Sequence, residues 1–313
     1  MKSFVGDTDF QMKEPTVVTI GKFDGRHRGH QKLLSAMLKW KNERGYKTAV
    51  FTFDMAPAAC IQGKPQKVIT TNQERRNNME KMGIDYLVEY PFTREVSHLS
   101  AEEFLKDILL GQMNAKAIVA GTDCGFGYQR KGNAELLRNL KDSLGYDLEI
   151  IEKEQDENQH RDISSTYVKE ELDQGNIEKA NDLLGEPYAI HGCVVHGNHV
   201  GGPLLGFPTA NLIPPPEKYL PPFGVYVSRI LVDGKYYGGI TNIGKKPTIT
   251  GDNPVGVETF IFGLEDDLYG KPIEVQLLNF ERPEQKFESL EQLKKQLEAD
   301  KEYGMNYLTQ AGF

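Results

Sequence analysis

Thr16-Val17-Val18-Thr19-Ile20-Gly21-Lys22-Phe23-Asp24-Gly25-Arg26-His27-Arg28-Gly29-His30 is the stretch that decides how the first half of the chain folds. Thr16 to Ile20 is a run rich in β-branched residues, which favour extended backbone. A helical pattern takes over from His30 to Trp40. The glycines between them permit a tight turn and let a ligand approach the backbone closely. Such a loop ends on a helix amino terminus, where unpaired N–H groups and the helix dipole favour phosphate. His27 and His30 are three apart, so on the first helical turn they share a face. Two imidazoles there can donate hydrogen bonds to phosphate oxygens as charge shifts during a transfer. With 7 His and 31 Gly in 313 residues, His-x-Gly-His is expected by chance about 0.02 times.

Outward from this loop the pattern repeats. Thr48 to Phe53 (TAVFTF) is a second strand and Ala117 to Ala120 (AIVA) a third. Strands separated by helical stretches predict crossover units and a parallel sheet. Ser100 followed by Glu103 forms a capping box that opens another helix. From about Pro187 the texture changes to glycine, proline and short alternating runs. Gly224 to Val232 alternates, Asp233-Gly234 turns tightly, and Lys235 to Thr241 returns, which is a strong hairpin signal. Val257 to Phe262 and Ile273 to Phe280 are further strands, and a helix opened by Ser289 with Gln292 runs to about Asp300. This predicts a small β-barrel closed by a terminal helix. The boundary falls near Leu184 to Pro187, giving domains 1–185 and 186–313.

The length agrees, since 313 residues exceed what one hydrophobic core usually organises. No apolar run is long enough to cross a bilayer, and residues 1–7 lack the apolar middle of a signal peptide. Cys60, Cys124 and Cys193 lie far apart without metal-ligand spacing. These features predict a soluble cytoplasmic protein with no membrane partner. A net charge of −8 argues against general nucleic-acid binding, which needs an excess of Lys and Arg. It leaves room for a small phosphate-bearing ligand. Nothing in the sequence points to an oligomeric state.

The histidine segment resembles the signature of the nucleotidyltransferase superfamily. Its longer form, Gly21-x-Phe23-Asp24-Gly25-x-His27-x-Gly29-His30, resembles the FAD synthetases. Ile163-Ser164-Ser165-Thr166 is similar to the Ile-Ser-Ser-Thr motif of that family, and Gly121 to Gly127 to its Gly-x-Asp/Asn-Phe-x-Phe-Gly loop. In the second half, several segments in this order resemble riboflavin kinase: Gly206-Phe207-Pro208-Thr209-Ala210-Asn211, Gly224-Val225-Tyr226, Asn242-Ile243-Gly244, Pro247-Thr248, Glu258, and Asp267-Leu268-Tyr269-Gly270. The chain is thus similar to the bifunctional riboflavin kinase/FAD synthetase (FMN adenylyltransferase) family over nearly its whole length.

That resemblance implies an α/β nucleotidyltransferase domain with a Rossmann-like parallel sheet, followed by a small β-barrel riboflavin kinase domain with a C-terminal helix. It implies riboflavin, FMN, FAD and ATP as substrates and products. His27 and His30 take the catalytic places of adenylyl transfer. Gly21, Phe23, Asp24, Gly25, Asp123, Ser164, Ser165 and Thr166 take the nucleotide-binding ones. Thr209 and Asn211 would hold Mg²⁺ against the ATP phosphates, since hard oxygen ligands suit that ion. Glu258 would be the general base for the ribityl 5′ hydroxyl. Period two independently puts Glu258 on one strand face with Phe260 and Phe262, where an unengaged carboxylate is costly.

The chain departs from the family at several points. Asp162 stands where a basic residue is usual, with Arg161 one place earlier, and Lys169 replaces an Arg. Cys124 replaces an aromatic, the second strand runs into Asp54-Met55-Ala56-Pro57, and the loop Gly197–Gly206 lacks the usual Arg and Lys. These departures predict that adenylyl transfer is the weaker activity. Two other readings share the same residues: a riboflavin kinase with a weak or inactive adenylyltransferase half, and a flavin-binding regulator on the same scaffold.

Overall fold

In the computed structural model the described residues are 1–55, 66–156, 158, 160–196, 207–245, 255–264 and 266–313. The chain divides into two compact units, Met1–Ser165 and Thr166–Phe313.

Six strands form the sheet of the first unit: β1 (Lys2–Val5), β2 (Thr16–Ile20), β3 (Lys47–Phe53), β4 (Tyr86–Tyr90), β5 (Ala115–Gly121) and β6 (Asp147–Ile151). Their order is β1-β4-β3-β2-β5-β6, and every neighbouring pair is parallel. A sheet of this kind is covered on both faces, and period two sorts its side chains between them. Val17, Val50, Leu87, Ala117 and Val119 pack with Leu34 and Met37 of α1 (Arg28–Arg44) and Met79 of α2 (Asn72–Lys81). Val18, Phe51, Val88 and Ile118 pack on the other side with Phe104, Leu105, Ile108 and Leu109, which lie in the π-helical stretch Phe104–Gln112. The strand order reverses at β2 and β5. In open α/β sheets, ligands bind outside the carboxyl ends of the strands at such a switch point. The loops leaving β2 and β5 there are the histidine loop and the Gly121–Gly127 loop.

Beyond α3 (Ala134–Leu144) and the short pair β7 (Gln155–Asp156) and β8 (Arg161–Asp162), the chain enters α4 (Ser165–Asp173) and α5 (Ile177–Leu184). The second unit then builds β9 (Ala189–Cys193), β10 (Thr209–Leu212), β11 (Gly224–Val232), β12 (Lys235–Lys245), β13 (Val255–Ile261) and β14 (Pro272–Pro283). These pair antiparallel in the order β10-β13-β12-β11-β14-β9. The two edges meet at a bridge between Val195 and Asn211, where the Val195 N–H donates to the Asn211 carbonyl at 2.8 Å, and the sheet closes into a barrel. One strand face carries a ladder of buried hydroxyls, Ser228 to Thr241 at 2.7 Å and Thr241 to Thr259 at 2.9 Å.

The opposite face buries Val225, Val227 and Ile240 against Leu308 of the terminal helix α6 (Leu290–Gln310). This helix continues past the expected end at Asp300. Gly304, a weak helix former, sits inside it because a Cβ there would lie 2.5 Å from the Ile240 side chain. Midway along it Asp300 is 1% exposed and accepts from Arg282 Nε at 2.9 Å and Gln296 Nε2 at 2.7 Å. Glu281 is the extra residue where the β11–β14 register shifts, and its buried Oε2 has no hydrogen-bond partner. Burial, then the neighbouring Asp300 charge, pushes its carboxyl up to about 8.

Candidate active sites

The loop after β2 is held by its own backbone. Phe23 adopts left-handed geometry at φ 49° although it is not glycine, and its ring is buried. Gly25 is also left-handed, at φ 70°. Asp24 Oδ1 accepts from the N–H groups of Ile69 at 2.6 Å and Thr70 at 3.2 Å, so this carboxylate pins a neighbouring loop. The Ser165 hydroxyl donates to the Asp24 carbonyl at 2.5 Å, tying the start of α4 to the same loop. Gly21 donates its N–H to Phe51 at 3.1 Å.

His27 is the N-cap of α1, and its Nδ1 accepts from the His30 N–H at 3.4 Å. His30 Nδ1 lies 2.7 Å from the Gly25 carbonyl, and since a carbonyl only accepts, this nitrogen carries the proton. The rings stack with centroids 3.7 Å apart. The network therefore gives the two neutral imidazoles opposite tautomers. His27 presents an Nε2–H donor, and His30 presents an Nε2 lone pair that becomes a donor only when the ring is protonated. Burial and then the His30 charge pull His27 down to about 2. Burial also lowers His30, opposed by its Gly25 bond and the charges of Asp24 and Asp123.

Asp123, on the loop after β5, lies 3.6 Å from Lys153. Lys153 also pairs with Asp162 at 2.8 Å, and Gln155 donates to Asp162 at 3.1 Å. These partners hold the exposed Asp162 carboxyl below its ordinary range. The negative charge that set Asp162 apart in the sequence is thus matched by a lysine nine positions earlier. Ser164 is half-buried, and Thr166 follows as an exposed residue of α4. Cys124 is half-buried and packs against the Phe104 core, so this departure lies within packing, and burial pushes its thiol up to about 11. Asp54 Oδ1 accepts from Met55 N–H at 2.7 Å, while Ala56, Pro57 and Cys60 lie outside the described residues. Lys169 sits 5.2 Å over the Tyr219 ring.

The second site is made by strand register. Asn211 on β10 is directly opposite Glu258 on β13, which is directly opposite Asn242 on β12. In the next row Thr209 faces Phe260, which faces Ile240. Directly opposed residues share a sheet face, so Thr209, Asn211, Asn242 and Glu258 stand together on the face that α6 covers. Val257, Thr259 and Ile261 are buried, with Glu258 and Phe260 half-buried between them, as period two requires. Phe260 also meets Phe207 edge-on at 4.9 Å and Lys301 of α6 at 5.8 Å. Asn211 is 4% exposed, and its Nδ2 donates to the Thr209 carbonyl at 3.0 Å and to Thr209 Oγ1 at 3.3 Å. That assignment turns its Oδ1 away as an oxygen ligand, and with the Thr209 hydroxyl it makes a hard donor set fit for Mg²⁺. Asn242 stands out in the sequence only within the Asn242-Ile243-Gly244 segment, and its register opposite Glu258 makes it a member of the candidate site. Gly197–Gly206, Pro247 and Thr248 lie outside the described residues.

A switch-point crevice with a histidine cap, and a six-stranded barrel with a carboxylate row, define a chain with one nucleotidyltransferase unit and one kinase unit. Residues 9–167 match the FAD synthetase family and residues 184–308 the riboflavin kinase family. The chain belongs to the family of bifunctional riboflavin kinase/FMN adenylyltransferases. It is 33% identical over 298 residues to the Bacillus subtilis (strain 168) bifunctional riboflavin kinase/FMN adenylyltransferase, covering 94% of this chain and 93% of the relative. The Escherichia coli (strain K12) protein of the same description is 35% identical over 290 residues, covering 92% of this chain and 91% of the relative. A Streptococcus pneumoniae crystal structure described as a macrolide-efflux protein superposes with TM-score 0.85 at 34% identity, covering 97% of this chain and 98% of that one. Among the described residues no helix is long and apolar enough to cross a membrane.

Proposed function

We infer that the chain phosphorylates riboflavin to FMN on the barrel and adenylylates FMN to FAD on the parallel sheet, with ATP as co-substrate in both steps. The placement of Glu258 directly opposite Asn211, beside Thr209, carries the kinase reading. Glu258 accepts the proton of the ribityl 5′ hydroxyl as that oxygen attacks the γ-phosphate and ADP leaves. Thr209 Oγ1 and Asn211 Oδ1 are the oxygens that would hold Mg²⁺, which supplies positive charge against the ATP phosphates when bound.

In adenylyl transfer a phosphate oxygen of FMN attacks the α-phosphate of ATP, and pyrophosphate leaves. No protein nucleophile is needed, so the task is positioning and charge stabilisation. His27 Nε2–H donates to a phosphate oxygen as a neutral ring, whereas His30 donates once protonated. The loops leaving β2 and β5 and the segment ending at Ser165 lie around this place, which supports nucleotide-binding roles for Gly21, Phe23, Gly25, Asp123, Ser164 and Ser165, and Thr166 is proposed with them as the next residue of the same motif. Asp24 serves the same site by fixing Ile69 and Thr70. Residues 1–185 and 186–313 remain the proposed limits of the two activities. A cytoplasmic setting suits the free thiols of Cys124 and Cys193. Incubation with riboflavin and Mg-ATP, followed by separation of the flavins, tests the whole reading. FMN followed by FAD is expected; FMN alone would remove adenylyl transfer, and unchanged riboflavin would remove the kinase step, adenylyl transfer then being tested with supplied FMN.

A further inference from the structure

We propose that Lys153 is a nucleotide-binding residue of the adenylyl-transfer site, countering the charge of Asp123 and Asp162 and reaching the triphosphate of ATP. The proposal rests on the reading of the first unit as the FMN adenylyltransferase. Lys153 lies two residues beyond the end of β6, at the carboxyl edge of the sheet where the switch-point crevice lies. Three bonds fix this segment beside the site. The Thr122 N–H donates to the Ile151 carbonyl at 3.1 Å and the Ile163 N–H to the Glu154 carbonyl at 2.9 Å. Glu154 pairs with Lys32 of α1 at 2.5 Å. The lysine thus stands between the Asp123 loop and the strand that leads into Ile163-Ser164-Ser165.

The charges around it explain why a cation is needed. Asp123 is near enough for its charge to act on His30. A triphosphate arriving there meets two carboxylates, and one lysine bonded to both is the group that offsets them. The same geometry separates this role from a merely structural one. The side chains of Lys153, Asp123 and Asp162 are 39%, 66% and 42% exposed, and ion pairs that open to water contribute little to folding. Loss of the lysine should therefore be silent in stability and visible in nucleotide binding. Its exposure also leaves the Nζ within reach of a ligand. The basic residue displaced from position 162 is supplied from the segment between β6 and β7.

The test uses the full chain with FMN and Mg-ATP as substrates, and riboflavin phosphorylation as an internal control. Lys153→Ala is expected to raise the ATP KM of adenylylation by fivefold or more, on the order of the loss of one charge-assisted hydrogen bond. The melting temperature and the kinase step should be unchanged. Lys153→Arg should restore most of the affinity, and Asp162→Asn added to Lys153→Ala should recover part of it by removing an unmatched negative charge. A KM rise below fivefold, or a loss that neither change corrects, overturns the proposal. Wild-type protein that makes no FAD from FMN would instead overturn the reading on which it rests.

Discussion

The two sites are built by different means. At the parallel sheet, every candidate residue sits on a loop or a helix start beyond the strand ends, and its position depends on bonds between distant segments. On the barrel, Asn211, Glu258 and Asn242 are placed by strand register alone. Loops tolerate substitution because other segments can restore a lost charge, as Lys153 does for Asp162. A register row does not, since the residues before and after each member along its strand face the other way and a one-residue slip turns the whole row over. The first site should therefore degrade by degrees under mutation and the second abruptly.

The largest expected effect tests the abrupt side. Glu258→Gln keeps shape and removes the base, and should lower FMN formation by about 10²- to 10⁴-fold while FAD formation from supplied FMN persists. Loss of both activities together would show that the two sites are not independent. Next, His27→Ala should lower adenylyl-transfer kcat by about 10²- to 10³-fold and spare the kinase, because its Nε2–H is assigned to a phosphate oxygen. His30 adds a pH signature. Its proton affinity is lowered by burial, so the donating form becomes scarcer as pH rises. Adenylyl transfer should fall with rising pH by up to about tenfold per unit, and His30→Gln should flatten that slope. A slope that survives His30→Gln would remove the tautomer argument.

A smaller effect concerns where the kinase unit begins. Asn181 on α5 donates to the Leu277 carbonyl at 2.8 Å and accepts from the Tyr188 N–H at 2.7 Å. Ile177, Ala180, Leu183 and Leu184 of the same helix are buried. A fragment of residues 186–313 should fold and phosphorylate riboflavin, but melt at least about 5 °C below a fragment of 166–313. Equal melting temperatures would show that α5 adds nothing to the barrel.

The smallest effect is at Glu281. Its folded proton affinity, near 8, is raised above that of the unfolded chain. The folded state then holds the extra proton, so this stability is complete below about pH 4.5 and is lost as pH rises through 8. Glu281→Gln stays neutral and should weaken the decline of melting temperature between pH 5 and 9. An unchanged decline would assign it to other groups.

Much of this was legible in the sequence. β2, β3 and β5 announce themselves by β-branched runs, and the face of Glu258 follows from period two. β4 is hidden because Glu89 interrupts its apolar run, and only the structure supplies Arg75 and Arg76, each 2.5 Å from that carboxylate. β9 is hidden similarly by His191, which meets Glu274 at 3.1 Å. The terminal helix reads as far as Asp300, and its continuation through Gly304 rests on the close approach of Ile240, a tertiary fact. The histidine pair was visible as a motif, but not its opposed tautomers, which depend on which backbone group each Nδ1 meets. Lys153 carried no local signal, since its partners lie on two other segments.

The bridge between Val195 and Asn211 gives the barrel a seam, and one of the two residues that fasten it is also a member of the kinase row. The backbone of Asn211 completes the closure while its side chain stands opposite Glu258. The seating of the Asn211 side chain beside Glu258 is thereby coupled to closure of the sheet at Val195. One residue thus answers to two constraints, a main chain that fastens the seam and a side chain that belongs to the proposed kinase row.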